Sequence, residues 1–166
     1  IEQRVYRETA VSTPTIMVQM AEPKWTAAAL ELACQQAAST GAEVALVELL
    51  HADAIHWLCC EADEYVFSES EREDLNHYRE IAARHQVPMS VRVMKYDTLE
   101  QGIVDAANRV NADTVFVTLP PSVLPFLHNR QVKHLSHLLQ EHNHHLITFR
   151  QPEVTEGWTP EVEIVS

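Results

Sequence analysis

The chain has 166 residues, of which 12 are Lys or Arg and 24 are Asp or Glu, so its formal charge is −12. This acidic balance excludes a nucleic-acid partner and an anionic membrane surface, because both attract clustered Lys and Arg. Only three residues are glycine, Gly41, Gly102 and Gly157, and they stand far apart. That spacing excludes the G-x-G-x-x-G and G-x-x-x-x-G-K-[ST] phosphate loops.

The composition is typical of one globular domain, with 46% apolar and 22% charged residues. No apolar run is long enough to span a bilayer. Cys34, Cys59 and Cys60 give an odd count of cysteines, which favours a reducing compartment over a disulfide framework. We therefore expect a cytoplasmic protein. The chain begins with Ile1 instead of methionine, so we also expect it to be part of a longer protein.

Short apolar runs alternate with segments of helical period through the middle of the chain. In chain order the predicted elements are a strand at 15–20, a helix at 22–40, a strand at 43–50, a helix at 70–85, a strand at 87–96, a helix at 97–110, a strand at 114–119, a helix at 130–142 and a strand at 145–149. Strands separated by helices pair in parallel. The sequence therefore predicts an α/β fold with a single doubly wound, mostly parallel five-stranded sheet and helices on both faces.

The helix boundaries carry local signals. Pro23 and Gly41 stand where the first helix begins and ends, and Ser68 with Glu71 forms a capping box before the second helix.

The two ends of the chain do not share this alternation. Residues 1–14 have no clear period and are interpreted as an N-terminal extension to a domain at 15–150. Residues 151–166 contain four glutamates and no Lys or Arg, which is typical of a solvated, mobile tail. The alternative is a strand that pairs with a partner subunit, since EVEIV alternates between polar and apolar residues.

One stretch is similar to a known family. Residues 102–118, GIVDAANRVNADTVFVT, combine an apolar helix face, an Ala-Asp pair and a buried strand. This pattern resembles the third helix and fourth strand of the universal stress protein domain. Small residues also stand where that family prefers them in the first helix, at Thr26, Ala29 and Ala33. The resemblance spans 15–149 and implies a fold of the universal stress protein (adenine nucleotide alpha hydrolase-like) type.

In the family's nucleotide-binding branch, ATP lies at the carboxyl ends of the strands, against a loop of type G-x-x-G-x9-G-[ST]. Laid onto this chain, the three glycine positions fall at Thr118, Pro121 and Gln131. Glycine matters there because backbone N–H groups must approach the phosphates closely. The acidic position that contacts the ribose falls at Ala21, next to Glu22. The resemblance therefore implies a non-ATP-binding branch without a cofactor.

The strand-end crevice itself is still expected, because the topology creates it whatever the loop contains. Its predicted lining residues are Met20, Ala21, Glu22, Glu48, Thr118, Pro121, Ser122, Arg130 and Gln131. The alternative for each of them is that it only packs or faces water. A small or uncharged ligand, or none, fits this crevice better than a nucleoside triphosphate.

Six of the ten histidines lie between His128 and His145. Within this cluster His134 and His137 are three residues apart on a predicted helix, so one face could present both rings to zinc or nickel. The alternatives are a surface that gains charge near about pH 6, or solvated histidines without a role. Adjacent Cys59 and Cys60 are predicted to be buried as small hydrophobes.

The leading hypothesis is a non-catalytic regulatory domain of universal stress protein type, because no G-x-S-x-G elbow or other nucleophile motif is present. Family members fused to transporters and sensor kinases make the cytosolic part of such a protein the expected context. A homodimer is predicted through the fifth strand, whose apolar edge would otherwise promote aggregation. The residues of this interface are His145, Leu146, Ile147, Thr148 and Phe149.

Two alternatives remain open. The chain could bind a small ligand or nucleotide, such as AMP or ATP, through an altered phosphate loop. It could also respond to metal or protons through the His128–His145 cluster.

Overall fold

The computed structural model describes residues 12–53, 64–121, 124–149 and 163–165. Its elements in chain order are β1 (Thr15–Gln19), α1 (Pro23–Thr40), β2 (Glu43–His51), α2 (Glu69–Arg84), β3 (Met89–Tyr96), α3 (Leu99–Val110), β4 (Ala112–Phe116), α4 (Pro125–Glu141), β5 (His145–Thr148) and β6 (Glu163–Val165). This alternation confirms the predicted doubly wound α/β arrangement.

The strands form one sheet in the order β3-β2-β1-β4-β5-β6. Neighbours from β3 to β5 pair in parallel, whereas β6 runs antiparallel to β5, with Val165 opposite Leu146. The predicted count of five strands is therefore one too low. The prediction of a solvated tail is corrected for residues 163–165, while 1–11, 151–162 and 166 lie outside the described residues.

The added strand bears directly on the predicted dimer interface. The free apolar edge that motivated this interface is absent, because β6 of the same chain occupies that side of β5. Leu146 is buried in the core of its own domain. Phe149, also buried, stacks on Trp25 with ring centroids 5.1 Å apart, and its carbonyl accepts a hydrogen bond from the Trp25 indole at 3.1 Å. His145 is exposed.

The local helix signals are largely confirmed. Pro23 begins α1, and Gly41 ends it with a left-handed φ of 71°. At α2, the Ser68 hydroxyl accepts from Glu71 N–H at 3.3 Å, and the Glu71 carboxylate accepts from Ser68 N–H at 2.6 Å. Helix α4 begins at Pro125, one turn earlier than predicted, because proline is well tolerated in a first helical turn.

Residues other than glycine take the left-handed conformation after the remaining helices. Gln86 follows α2 with φ 55°, Asn111 follows α3 with φ 52°, and Asn143 follows α4 with φ 63°. Asparagine tolerates this conformation better than most residues, because its short polar side chain can hydrogen-bond locally. A chain with three glycines therefore still ends its helices in the usual geometry.

Two apolar layers cover the sheet, one on each face. Helices α1 and α2 pack over one layer, which includes Ile16, Leu30 and Phe116. Helices α3 and α4 pack over the other, which includes Met17 and Leu135. Alternate residues of β1 point into opposite layers, as the period of a strand requires.

Gly102 sets the approach of α3 to β3. It is buried in α3 and faces Tyr96, the last residue of β3. A Cβ atom added at Gly102 would overlap the Cβ of Tyr96 and lie 3.0 Å from its Cγ. The absence of a side chain at this position lets the helix cross close to the strand.

Candidate functional site

The sheet changes direction between β1 and β4. From β1 the chain moves outward through β2 and β3, and from β4 it moves outward the other way through β5. In such sheets, ligands bind outside the carboxyl ends of the two strands at this switch point. The structure places Met20 and Ala21 directly after β1 and Thr118 just after β4, all three half-buried. These three predicted residues therefore lie at the switch point of the sheet.

A glutamine that the sequence did not single out links the two strands of the crevice. Gln19, the last residue of β1, is only 7% exposed, and its Oε1 accepts a hydrogen bond from Thr118 N–H at 3.1 Å. Thr118 stands at the first glycine position of the family's phosphate loop. Its N–H is therefore engaged within the chain and does not face a ligand.

Backbone groups just before the first turn of α1 are also hydrogen-bonded within the chain. Thr26 is fully buried, and its hydroxyl accepts from Ala21 N–H at 2.9 Å and donates to the Glu22 carbonyl at 3.1 Å. Met20 N–H donates to the Val47 carbonyl at 2.7 Å. The backbone N–H groups of Met20 and Ala21, the first two residues after β1, are thus satisfied internally.

Three other predicted residues are exposed to solvent. Arg130 and Gln131 are exposed on α4. Gln131 is the seventh residue of that helix, so its N–H lies within the helical hydrogen-bond ladder. Pro121 is exposed and has no N–H to donate. Ser122 lies outside the described residues.

Glu48 is an unusual carboxyl at the carboxyl end of β2. It is half-buried on the sheet face that α1 and α2 cover. Burial, followed by the charge of Glu71, raises the pKa of Glu48 to about 7. Glu71 stays ionised because the Ser68 backbone N–H and hydroxyl, together with the Tyr65 hydroxyl at 2.9 Å, lower its pKa. Glu48 therefore changes charge near neutral pH.

This pKa predicts a pH-dependent effect of Glu48→Gln. When the pKa of a carboxyl is higher in the folded protein than in the unfolded protein, the free energy of unfolding falls as the pH rises from the lower pKa to the higher one. The full difference corresponds to roughly 3 kcal/mol, which solvent screening at a half-buried site reduces to about 1–2 kcal/mol. We expect Glu48→Gln to raise the free energy of unfolding by that amount at pH 8 and to leave it unchanged at pH 4.5. Urea unfolding at both pH values measures this, with the exposed Glu73→Gln as control. Equal effects of Glu48→Gln at both pH values would contradict it.

The histidine cluster divides between surface and core. His134 and His137 are exposed on α4, and His137 Nε2 lies 3.9 Å from Glu141 Oε1. Within the described ranges, no group of three or more His, Cys, Asp or Glu side chains could hold a metal ion. His144 is only 5% exposed, so the surface interpretation is wrong for this residue. One ring nitrogen contacts the Ala112 carbonyl and the other lies 2.8 Å from Asn108 Oδ1.

The cysteines offer no reactive thiol in the part of the chain that the structure describes. Cys34 is buried, and its burial, with a smaller contribution from Glu31, raises its pKa to about 11. Cys59 and Cys60 lie outside the described residues. No helix among those placed by the structure has the length and apolarity needed to cross a bilayer.

The strand order, with its switch point between β1 and β4, defines the class of fold, a doubly wound α/β domain. No protein-family profile and no curated protein sequence matches the chain significantly. Solved structures do. A protein of the universal stress protein family from Burkholderia pseudomallei aligns with 81% of this chain and 93% of its own, at 16% identity and a TM-score of 0.53.

Two further structures are similar at lower scores. A universal stress protein from Archaeoglobus fulgidus aligns with 67% of this chain and 78% of its own, at 15% identity and a TM-score of 0.45. A universal stress protein in complex with cAMP aligns with 63% of this chain and 70% of its own, at 17% identity and a TM-score of 0.45. The Burkholderia structure supports the conclusion that this chain has the fold of universal stress proteins.

Proposed function

We propose that this chain is a non-catalytic regulatory domain of universal stress protein type that does not bind nucleoside triphosphates in its strand-end crevice. The observation that carries this proposal is the hydrogen bond from Thr118 N–H to Gln19. It uses the backbone donor at the position where the family's nucleotide binders present their first glycine.

The chemistry of phosphate binding supports the same conclusion. A triphosphate needs several convergent backbone N–H groups or cations, because each anionic oxygen must recover the hydrogen bonds it made with water. At this crevice Ala21 N–H is bonded to Thr26, and Pro120 and Pro121 have no N–H. Glu22 and, once it is ionised, Glu48 add negative charge at the same end of the sheet. A triphosphate would find few free hydrogen-bond donors at this crevice and would be repelled by its negative charge.

The location and assembly of the domain form a second part of the proposal. We propose a cytoplasmic location, a homodimer, no cofactor and a link to a membrane or sensor module in a longer protein. Because β6 covers β5, the dimer would have to use another surface or displace β6. Light scattering of the purified chain tests the dimer, and a monomer at tens of micromolar would contradict it.

The central test is a ligand panel on the full chain. We expect ATP, AMP and cyclic AMP at micromolar concentration to leave the thermal unfolding midpoint within about 1 °C of the ligand-free value, because ligand that binds only the native state raises stability by mass action. We also expect no phosphate release from ATP. A rise in the midpoint at micromolar nucleotide would contradict the proposal and favour a nucleotide-binding module with an altered loop.

A second candidate function is proton sensing, and Glu48 is the observation that favours it over the histidine cluster. Its carboxyl changes charge near neutral pH at the end of β2, against the first turn of α2. The pH-dependent stability of Glu48→Gln described above tests this candidate as well.

A further inference from the structure

A second concavity lies at the opposite end of the strands from the crevice. It encloses about 400 Å³ beside the first residues of β1 and β2, the first half of β3 and the last turn of α3. Its polar and charged lining residues are Thr15, Glu43, Ser90, Arg92 and Arg109. Met94, Val93 and Val110 supply apolar wall. We call this concavity the amino-end groove.

In the part of the chain that the structure describes, the two arginines of the amino-end groove have no acidic partner. Among the residues that the structure describes, neither Arg92 nor Arg109 takes part in an ion pair, although both are exposed. By contrast, Arg84 binds the Glu31 carboxylate at 2.5 Å. In a chain with twice as many acids as bases, two unpaired guanidinium groups on one groove are a local reversal of the overall charge. Such a groove concentrates anions from solution.

Known structural roles account for one arginine but not for both. Arg109 lies in the last turn of α3, where a cation complements the negative end of the helix dipole. Arg92 lies on the strand β3, so its charge is not explained by a helix dipole of its own element. The residue directly opposite Arg92 on β2 is Val47, which carries no charge. What the two arginines have in common is that both line the amino-end groove.

The lining chemistry indicates the class of anion. Guanidinium groups match phosphate oxygens in a planar, bidentate geometry, and the half-buried Ser90, which also lines the groove, has a hydroxyl that can donate a hydrogen bond to phosphate. Glu43 at the start of β2 repels a polyanion but accepts hydrogen bonds from hydroxyl groups. We propose that the amino-end groove binds the phosphate group of a small molecule, either inorganic phosphate or a hydroxylated phosphate monoester. This inference is independent of the strand-end crevice and goes beyond the proposed function.

Acidic segments of the same chain are weaker candidates for this groove. Residues 163–165 of the acidic tail pair with β5, and two strands, β1 and β4, separate β5 from β2. Residues 1–11 precede β1 but contain two acids and two bases, so they carry no net charge. A free anion is the better electrostatic match.

The test titrates the full chain with inorganic phosphate, glycerol phosphate and glycerol at constant low ionic strength, followed by two-dimensional amide NMR spectra. We expect both phosphates to bind and to shift signals from the first residues of β1, β2 and β3 and from the last turn of α3. Each guanidinium removed should weaken binding at least about tenfold, so we expect a loss of about a hundredfold in Arg92→Gln/Arg109→Gln. The control Arg72→Gln removes an exposed arginine of α2 and should leave the affinity unchanged.

The outcomes separate the possible ligands. Tighter binding of glycerol phosphate identifies a monoester, and equal affinity identifies the phosphate group alone as the ligand. The proposal is overturned if neither phosphate binds at about 10 mM, a weak limit for a specific site, if glycerol binds as well as glycerol phosphate, or if Arg72→Gln loses as much affinity as the double variant. Shifts confined to the carboxyl ends of the strands would overturn it too and would instead contradict the proposed function of the crevice.

Discussion

Gly102→Ala is expected to lower the free energy of unfolding by about 1–3 kcal/mol, the range of an overpacked core site. At an ordinary helical position the same change would stabilise the helix by about 1 kcal/mol. Here the new Cβ would overlap the Cβ of Tyr96, which is attached directly to the backbone of β3 and cannot rotate away. The helix and the strand would have to separate, and the apolar layer beneath α3 would loosen. Urea unfolding followed by circular dichroism measures the difference.

Two comparisons isolate this steric cause. Gln101→Ala changes the exposed neighbouring position of the same helix and should alter stability by less than about 0.5 kcal/mol. In a Tyr96→Gly background the colliding Cβ and Cγ are gone, so Gly102→Ala should cost much less than in the natural chain. Equal costs in the two backgrounds would show that Tyr96 does not set the limit.

The second large effect is expected at His144, where replacement by alanine should cost about 2–4 kcal/mol. The ring is buried and joins three elements, because it contacts the Ala112 carbonyl at the start of β4 and Asn108 on α3 while standing just before β5. Its removal leaves a buried carbonyl without its ring partner and a cavity between the elements. Thermal or urea unfolding of the purified variant measures the loss.

The neighbouring histidine provides a matched control. His145 is exposed, so His145→Ala should change stability by less than about 0.5 kcal/mol. A double-mutant cycle between His144→Ala and Asn108→Ala should give a coupling of at least about 0.5 kcal/mol, because the two side chains are in contact. If His144→Ala and His145→Ala have the same small effect, the buried contacts of His144 contribute little.

Features that depend on a few consecutive residues could be predicted from the sequence. The capping box of Ser68 and Glu71 is a local pattern, since each side chain bonds the backbone three residues away. The alternation of strands and helices follows from periods of two and about 3.6 residues. The lack of a glycine loop after β4 could also be predicted, because it depends only on which residue types stand at fixed positions of the sequence.

Features that depend on distant pairing could not be predicted. The Gln19 to Thr118 hydrogen bond joins residues 99 positions apart, and the sequence pattern marks the residues after Gln19 as crevice lining but not Gln19 itself. His144 stands among exposed histidines in the sequence, and only the packing of α3 and β4 around it makes it a core residue. Strand β6 is three residues long, and its alternating pattern does not specify that it pairs with β5 of its own chain instead of with a partner.

Strand β6 has a thermodynamic consequence for any assembly of this domain. The backbone groups of β5 that bond to β6 cannot at the same time bond to a strand of a second chain. Association through that edge would therefore compete with attachment of the chain's own C-terminal segment. A three-residue strand contributes few hydrogen bonds, so its release should be among the lowest-energy openings of the sheet. Self-association at this edge would then be linked to the freedom of residues 163–165, and a change that stabilises β6 would weaken the assembly by the same free energy.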